Sequence, residues 1–216
     1  MIRRPPRSTQ GVSSAASDVY KRQLVREGIS EPCKIPDFQY KLPENKNLIP
    51  AVTGRDGHLR YAKPGELDIM GNNVPKYDPD QPLFLGGEGM LATADSYADF
   101  LRLLLNNGKL NHHRFLDETT LEKMFSNIDT KDEHGISTGF GLFITGEILK
   151  KYGKGDSGLL QGGGYESTSF WIDPKRKFVG LLMTQTNQSP DKAGLGSGVY
   201  DKFRGALYRS FFNEVN

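Results

Sequence analysis

Between Met90 and Phe125 apolar residues recur three and four positions apart, whereas beyond Phe140 they cluster in short runs of strand length. Tyr97, Phe100, Leu101, Leu104 and Leu105 fall on one helical stripe, with Thr93 or Asp95 placed to cap its start and Asn106-Asn107-Gly108 to end it. A second, shorter helix is predicted from Asp117, where acidic residues suit the positive end of the helix dipole, with Leu121, Met124 and Phe125 on its buried face. Three strands come next: Phe140 to Thr145, Thr168 to Ile172 and Phe178 to Gln185. The last two are joined by Asp173-Pro174-Lys175-Arg176-Lys177, which reads as a hairpin turn. Val199, Phe203, Ala206, Leu207 and Phe211 then predict a terminal amphipathic helix that covers one face of an antiparallel sheet. The fold class expected is α/β in the α+β sense, an antiparallel sheet flanked by helices.

The first part of the chain lacks such periodicity. From Leu24 to residue 83 prolines recur between Pro32 and Pro82, with turn signals at Gly54, Asp56-Gly57 and Gly71-Asn72-Asn73. This stretch is expected to be loop-rich and to wrap a surface supplied by other parts of the molecule, since a structureless run of that length is unusual inside a compact domain. Residues 84–216 are expected to form the regular part. Residues 1–23 have no apolar run of the length a secretory signal requires. They read either as a disordered basic arm or, preferably, as an artefactual segment, because they resemble translated sequencing-adaptor sequence fused to a truncated reading frame; they are set aside from fold reasoning.

Composition adjusts this picture at three points. The net charge of +2 is misleading, because residues 1–23 hold Arg3, Arg4, Arg7, Lys21 and Arg22 against the single acid Asp18, which leaves the remainder mildly acidic. With no basic stripe, nucleic acid is not expected as the ligand. At 216 residues the chain can hold one domain with a real core, and no apolar run is long enough to span a membrane. The single cysteine, Cys33, excludes an internal disulfide. It leaves the compartment and the oligomeric state open.

Candidate chemistry is sparse. His112 and His113 are adjacent, and His58 and His134 have no partner at ligand spacing, so no metal site and no cofactor is expected. The glycine clusters Gly86 to Gly89 and Gly162 to Gly164 lack the lysine and hydroxyl of a phosphate-binding loop and the strand-then-helix setting of a dinucleotide loop. Gly162-Gly163-Gly164 instead precedes a strand-type run, where glycines either mark a bulge or turn or let a substrate approach the backbone closely. No Gly-x-Ser-x-Gly elbow occurs. The one Ser-x-x-Lys spacing, Ser189 to Lys192, is followed by a glycine-rich stretch that cannot carry the helix such a pair needs, and it is read as accidental.

Two blocks taken together resemble the β-lactamase-related serine hydrolases, which include class C β-lactamases, penicillin-binding carboxypeptidases and related esterases. The first is Phe84-Leu85-Gly86-Gly87-Glu88-Gly89-Met90-Leu91-Ala92-Thr93 with the helix after it. The second is Gly139-Phe140-Gly141-Leu142 with Gly162-Gly163-Gly164-Tyr165-Glu166-Ser167-Thr168-Ser169-Phe170-Trp171-Ile172-Asp173-Pro174. Asp37-Phe38 with Lys41-Leu42-Pro43-Glu44 is weakly similar. The resemblance implies the C-terminal part of a β-lactamase/transpeptidase-like fold and a parent that cleaves a small-molecule ester or amide through a serine acyl-enzyme; a periplasmic or secreted location would fit it. The family's Ser-x-x-Lys helix and its Tyr-x-Asn or Ser-x-Asn loop precede the region seen here, and neither triplet occurs in this sequence. No catalytic residue is therefore assigned, and the chain alone is expected to be inactive. The family's third element, normally Lys-Thr-Gly, falls on Gly162-Gly163-Gly164, so a cation for a substrate carboxylate is missing. The resemblance makes the N–H of Tyr165 one oxyanion donor and leaves Glu166, Ser167 and Thr168 either lining the cleft or packing at its edge. The alternative is a non-catalytic binding module that keeps the fold.

Overall fold

The computed structural model describes residues 22–40, 42–55, 58–63, 90–126, 137–138, 142–144, 158–164, 167–186 and 197–213. Helix α1, Ala94–Leu105, starts and stops where its sequence dictates. Thr93 is the N-cap, its Oγ1 accepting from the Ser96 N–H at 3.3 Å. At the other end Gly108 has φ 75° and donates its N–H to the Leu103 carbonyl at 2.9 Å, a left-handed cap in which any side chain would run into the Leu116 carbonyl. Helix α2, Glu118–Phe125, is capped by Asp117, whose carboxylate accepts from both the N–H and the hydroxyl of Thr120 at 2.8 Å. These hydrogen bonds hold that carboxyl below its ordinary range.

The main sheet has five antiparallel strands in the order β11-β10-β9-β8-β7: Phe178–Leu182, Ser169–Asp173, Leu160–Gly163, Phe143–Ile144 and Ser137–Thr138. The hairpin predicted at Asp173 to Lys177 is present, with Asp173 opposite Phe178. One sheet face packs on α1 and α2, where Leu101, Leu104, Leu121, Leu142, Ile144, Leu160 and Ile172 form a buried cluster. Leu103, on another side of α1, joins Ile29, Cys33, Ile35 and Phe38 in a second cluster. Helix α1 is thus a partition between the sheet and the earlier part of the chain.

That earlier part holds more structure than its prolines suggest. Arg22–Leu24 is helical and continues into a π-helical segment, Val25–Ser30. Strand β1, Phe38–Gln39, pairs with β4, Leu91–Ala92, and the Asp37 N–H is bonded to Ser96 Oγ. Strands β2, Val52–Arg55, and β3, His58–Tyr61, pair as an antiparallel hairpin, and the Asp56-Gly57 signal between them lies outside the described residues. A further small pair, β5 (Lys109–Leu110) and β6 (His113–Arg114), comes after α1.

The terminal helix α3, Ser197–Phe212, covers the opposite sheet face, but its buried side is rotated from the one predicted. Val199, Ala206 and Phe211 are exposed, while Arg204 and Tyr208 are buried and Tyr200 is half-buried. The reason is what the sheet presents. Trp171 and Phe178 project toward α3 and pack against the rings of Tyr200, Phe203, Tyr208 and Phe212. The Asp173 carboxylate, only 1% exposed, accepts from the Tyr208 hydroxyl at 2.8 Å and from the Arg176 N–H and guanidinium at 2.9 Å. A buried carboxylate demands such partners, so the polar tip of Tyr208 and not a simple apolar stripe sets the rotation.

Two glycines lie beneath rings of β10. A side chain at Gly162 would meet the Phe170 ring at 2.5 Å, and one at Gly180 would overlap the indole of Trp171. Replacing Gly180 by Ala is expected to cost about 1–3 kcal/mol by overpacking against a fully buried Trp, read as a lowered melting temperature; an unchanged melt would contradict the packing. A second expectation concerns pH. Burial first, and then the hydrogen bond to Asp173, raise the Tyr208 hydroxyl pKa well above its usual value. The neutral phenol therefore stabilises the fold fully below about pH 10, and that contribution is lost as pH rises beyond the unfolded-state pKa. Tyr208→Phe should cost about 1–3 kcal/mol at neutral pH and flatten the alkaline loss, checked by urea melts at several pH values.

Candidate functional site

Strands β9 and β10 are joined by a tight turn whose residues include the predicted site. The Gly164 N–H donates to the Thr168 carbonyl at 2.8 Å, and the Ser167 N–H donates to the Gly164 carbonyl at 3.1 Å. Ser167 closes the turn in the left-handed region, φ 64°. Backbone groups alternate in direction along an antiparallel strand. Because both groups of Gly164 face β10, those of Gly163 face the outer edge of β9. Among the described residues β8 pairs with β9 at Leu160 and Gln161. Gly163 and Gly164 are exposed, and nothing stands within 4 Å of where a side chain at Gly164 would begin. Here the backbone of β9 carries no side chain that would keep another group from approaching closely.

Of the predicted site residues, Gly162 and Gly163 lie in β9, and Gly164 and Ser167 lie in the turn. Gly162 is occupied by packing, since Phe170 fills the space beside it; the glycine is required there by a neighbouring ring. Tyr165 and Glu166 lie outside the described residues, as does the Ser189 to Lys192 spacing. The Ser167 hydroxyl donates to the Thr186 carbonyl at 2.9 Å, and the Thr168 hydroxyl donates to the Thr184 carbonyl at 3.0 Å. Both side chains tie the turn to the far end of the segment that β11 begins.

That end is itself anchored. The Val52 N–H donates to the Gln185 carbonyl at 2.7 Å, and Val52 forms a parallel bridge with Thr186. The β2–β3 hairpin, the end of the β11 segment and the β9–β10 turn therefore meet at one end of the sheet. Sequence reasoning missed Thr184 and Thr186. The signal for them was the hairpin register: with Asp173 opposite Phe178, Ser169 falls opposite Leu182, and Thr168 and Ser167 must face the residues beyond Leu182.

Other nucleophile and metal candidates do not gather here. Cys33 is fully buried, and burial pushes its thiol pKa up, which disfavours the reactive thiolate. Among the described residues no group of three or more His, Cys, Asp or Glu side chains is arranged to hold a metal ion. Among them, too, no helix is long and apolar enough to cross a membrane.

The sequence matches the family model described as Beta-lactamase over residues 15–199. The chain belongs to the β-lactamase family of serine hydrolases. Solved structures agree on the fold. EstCE1, a hydrolase with promiscuous acyltransferase activity, superposes with a TM-score of 0.70 at 18% identity, over 87% of this chain and 50% of its own. The simvastatin synthase LovD from Aspergillus terreus gives 0.67 at 21% identity, over 89% and 51%. A penicillin-binding protein homologue from Caulobacter crescentus gives 0.50 at 16% identity, over 77% and 47%. This chain thus spans about half the length of the solved structures it matches. No curated protein matches the sequence. In this β-lactamase-family chain the mixed α+β architecture expected from the residues is present.

The tethers of the turn are testable. Ser167→Ala removes the bond to Thr186 and should speed hydrogen exchange at the Gly164 and Ser167 amides by roughly five- to tenfold, the effect of losing one hydrogen bond. Equal protection in the variant would show that the turn is held without it.

Proposed function

We propose that this chain carries the oxyanion strand of a serine hydrolase that cleaves small-molecule esters or amides through an acyl-enzyme, and that alone it does not turn over substrate. The carrying observation is the exposed outer edge of β9 at Gly163–Gly164, held from behind by Ser167 and Thr168. In acyl transfer a serine oxygen adds to the carbonyl carbon, and the carbonyl oxygen becomes an anion that needs fixed N–H donors; collapse then expels the alcohol or amine, and water releases the acyl group. Backbone donors suit this role because they are already oriented and depend on no side chain. By family resemblance the N–H of Tyr165 is one of them.

Inactivity of the isolated chain is supported by its residues. No Tyr-x-Asn or Ser-x-Asn triplet is present, and the single Ser-x-x-Lys spacing is in glycine-rich sequence. Residues 1–23 remain proposed as an artefactual or disordered segment, against which stand the family match from residue 15 and the helical turn at Arg22–Leu24. Specificity for substrates bearing a carboxylate beside the scissile bond is not proposed, since Gly162 provides no cation and the Phe170 ring leaves no room for one.

Gly162 also favours a second reading, a non-catalytic binding module that keeps the fold. The two separate on the coding sequence upstream of the Leu24 codon, which under the hydrolase reading encodes a Ser-x-x-Lys helix and a Tyr-x-Asn or Ser-x-Asn loop. For the purified chain, a chromogenic ester and a chromogenic cephalosporin should both decay at the buffer rate. Sustained turnover, with an activated phosphonate labelling a serine between residues 24 and 216, would overturn the inactivity.

A further inference from the structure

We infer that Asn107 is a deamidation site that the C-terminal cap of α1 keeps closed, and that reaction there detaches the β5–β6 hairpin from the helix. Asn107-Gly108 is the one Asn-Gly pair in the chain. In such a pair the backbone nitrogen of the glycine, with no side chain to shield it, attacks the asparagine Cγ. The new N–C bond closes a cyclic imide, and the side-chain nitrogen leaves as ammonia with the proton given up by the glycine N–H. Water then opens one of the two imide carbonyls, which leaves aspartate or isoaspartate.

The fold withholds what that attack requires. The Gly108 N–H, whose proton must leave, is donated to the Leu103 carbonyl at 2.9 Å. Asn107 has φ 53°, and in the left-handed conformation the nitrogen of the next residue points away from the side chain it would attack. The Arg114 guanidinium holds the other side of the same peptide group, donating to the Asn107 carbonyl at 2.8 Å and to the Leu116 carbonyl at 3.1 Å. Asn107 is exposed and lies just beyond the last turn of a helix, where opening needs the least free energy. Opening of the cap is therefore the step that admits the reaction, and the product does not fit back. Isoaspartate adds a methylene to the main chain immediately before Gly108, whose carbonyl accepts from the N–H groups of Phe115 at 2.8 Å and Leu116 at 3.4 Å. Gly108 thus joins the end of α1 to the chain returning from the hairpin, and the hairpin in turn holds the Cys33 carbonyl through Asn111 Nδ2 at 2.7 Å. Aspartate keeps the chain length but sets a negative charge at the negative end of the helix dipole.

The test incubates the purified full chain in mildly alkaline buffer, folded and in denaturing urea. Mass spectrometry of the peptide containing Asn107 gives the rate, and labelling by an isoaspartyl methyltransferase separates the two products. Asn107 is expected to react in urea and to react at least about tenfold more slowly in the folded chain. Arg114→Ala, at an exposed position and checked by thermal melting, should raise the folded-state rate roughly three- to tenfold, as loss of one hydrogen bond predicts, and leave the rate in urea unchanged. In the unmodified sequence, sub-denaturing urea should raise the deamidation rate and the hydrogen exchange of the Gly108 amide in parallel. The isoaspartyl form, separated by ion exchange, should lose protection at the Phe115 and Leu116 amides and keep it along β10 and β11. An Asn107 that stays intact in urea would overturn the site, and equal rates in the folded and unfolded chain would overturn the closure. A folded-state rate that ignores Arg114→Ala and does not follow Gly108 exchange would place the protection elsewhere and overturn the role of the cap. Undiminished protection at Phe115 and Leu116 in the isoaspartyl form would overturn the detachment.

Discussion

Phe170 and Trp171 are adjacent on β10, so a strand's alternation sends their rings to opposite faces of the sheet. Each ring needs floor area on a neighbouring strand, and each finds it over a glycine: Phe170 over Gly162 of β9, Trp171 over Gly180 of β11. Glycine in a strand interior is unfavourable by itself, and a cross-strand aromatic offsets the loss by covering the exposed backbone. Much of the architecture results from this exchange. Phe170 meets Tyr97 of α1, which brings that helix onto one face, while Trp171 meets Tyr200, Phe203 and Tyr208 of α3 on the other. The Phe170 ring also occupies the space into which a side chain at position 162 would grow.

The two ends of β10 are then secured by different means. At one end a buried carboxylate, Asp173, gathers the Arg176 guanidinium of its own turn and the Tyr208 hydroxyl of α3. Such a cluster is sensitive to losing any member, since the remaining charge would be buried without its partners. At the other end neutral hydroxyls of Ser167 and Thr168 bond to backbone carbonyls of residues 186 and 184. Strand β10 is thus held at this end by neutral groups, and at the other end by a charged cluster.

The features legible in the residues alone are those that local chemistry dictates. Thr93, Asp117 and Gly108 specify the ends of α1 and α2 through capping, and the Asp173 to Lys177 turn specifies the β10–β11 register. The buried face of α3 is not legible in this way, because an amphipathic count treats Tyr and Arg as polar, whereas Tyr208 and Arg204 are buried, and Tyr208 is bonded to a partner distant in sequence. The β2–β3 hairpin is hidden for a different reason: its strands are built largely from glycine, charged and exposed residues, although Asp56-Gly57 marks the turn. Gly162 is the most ambiguous position. A glycine that admits a substrate and a glycine that admits a phenyl ring look identical until the cross-strand register is counted, and that register sets Gly162 opposite Phe170.

That ambiguity bears on how a family can keep a fold while its substrates diverge. A cationic side chain at the first position of the motif selects substrates by charge, yet it contributes nothing to backbone donors further along the strand. The two functions are physically separable, and in this chain the Phe170 ring packs over Gly162 while Gly163 and Gly164 beyond it are exposed. A catalytic strand can therefore drift toward a better-packed sheet without losing its electrostatic capacity.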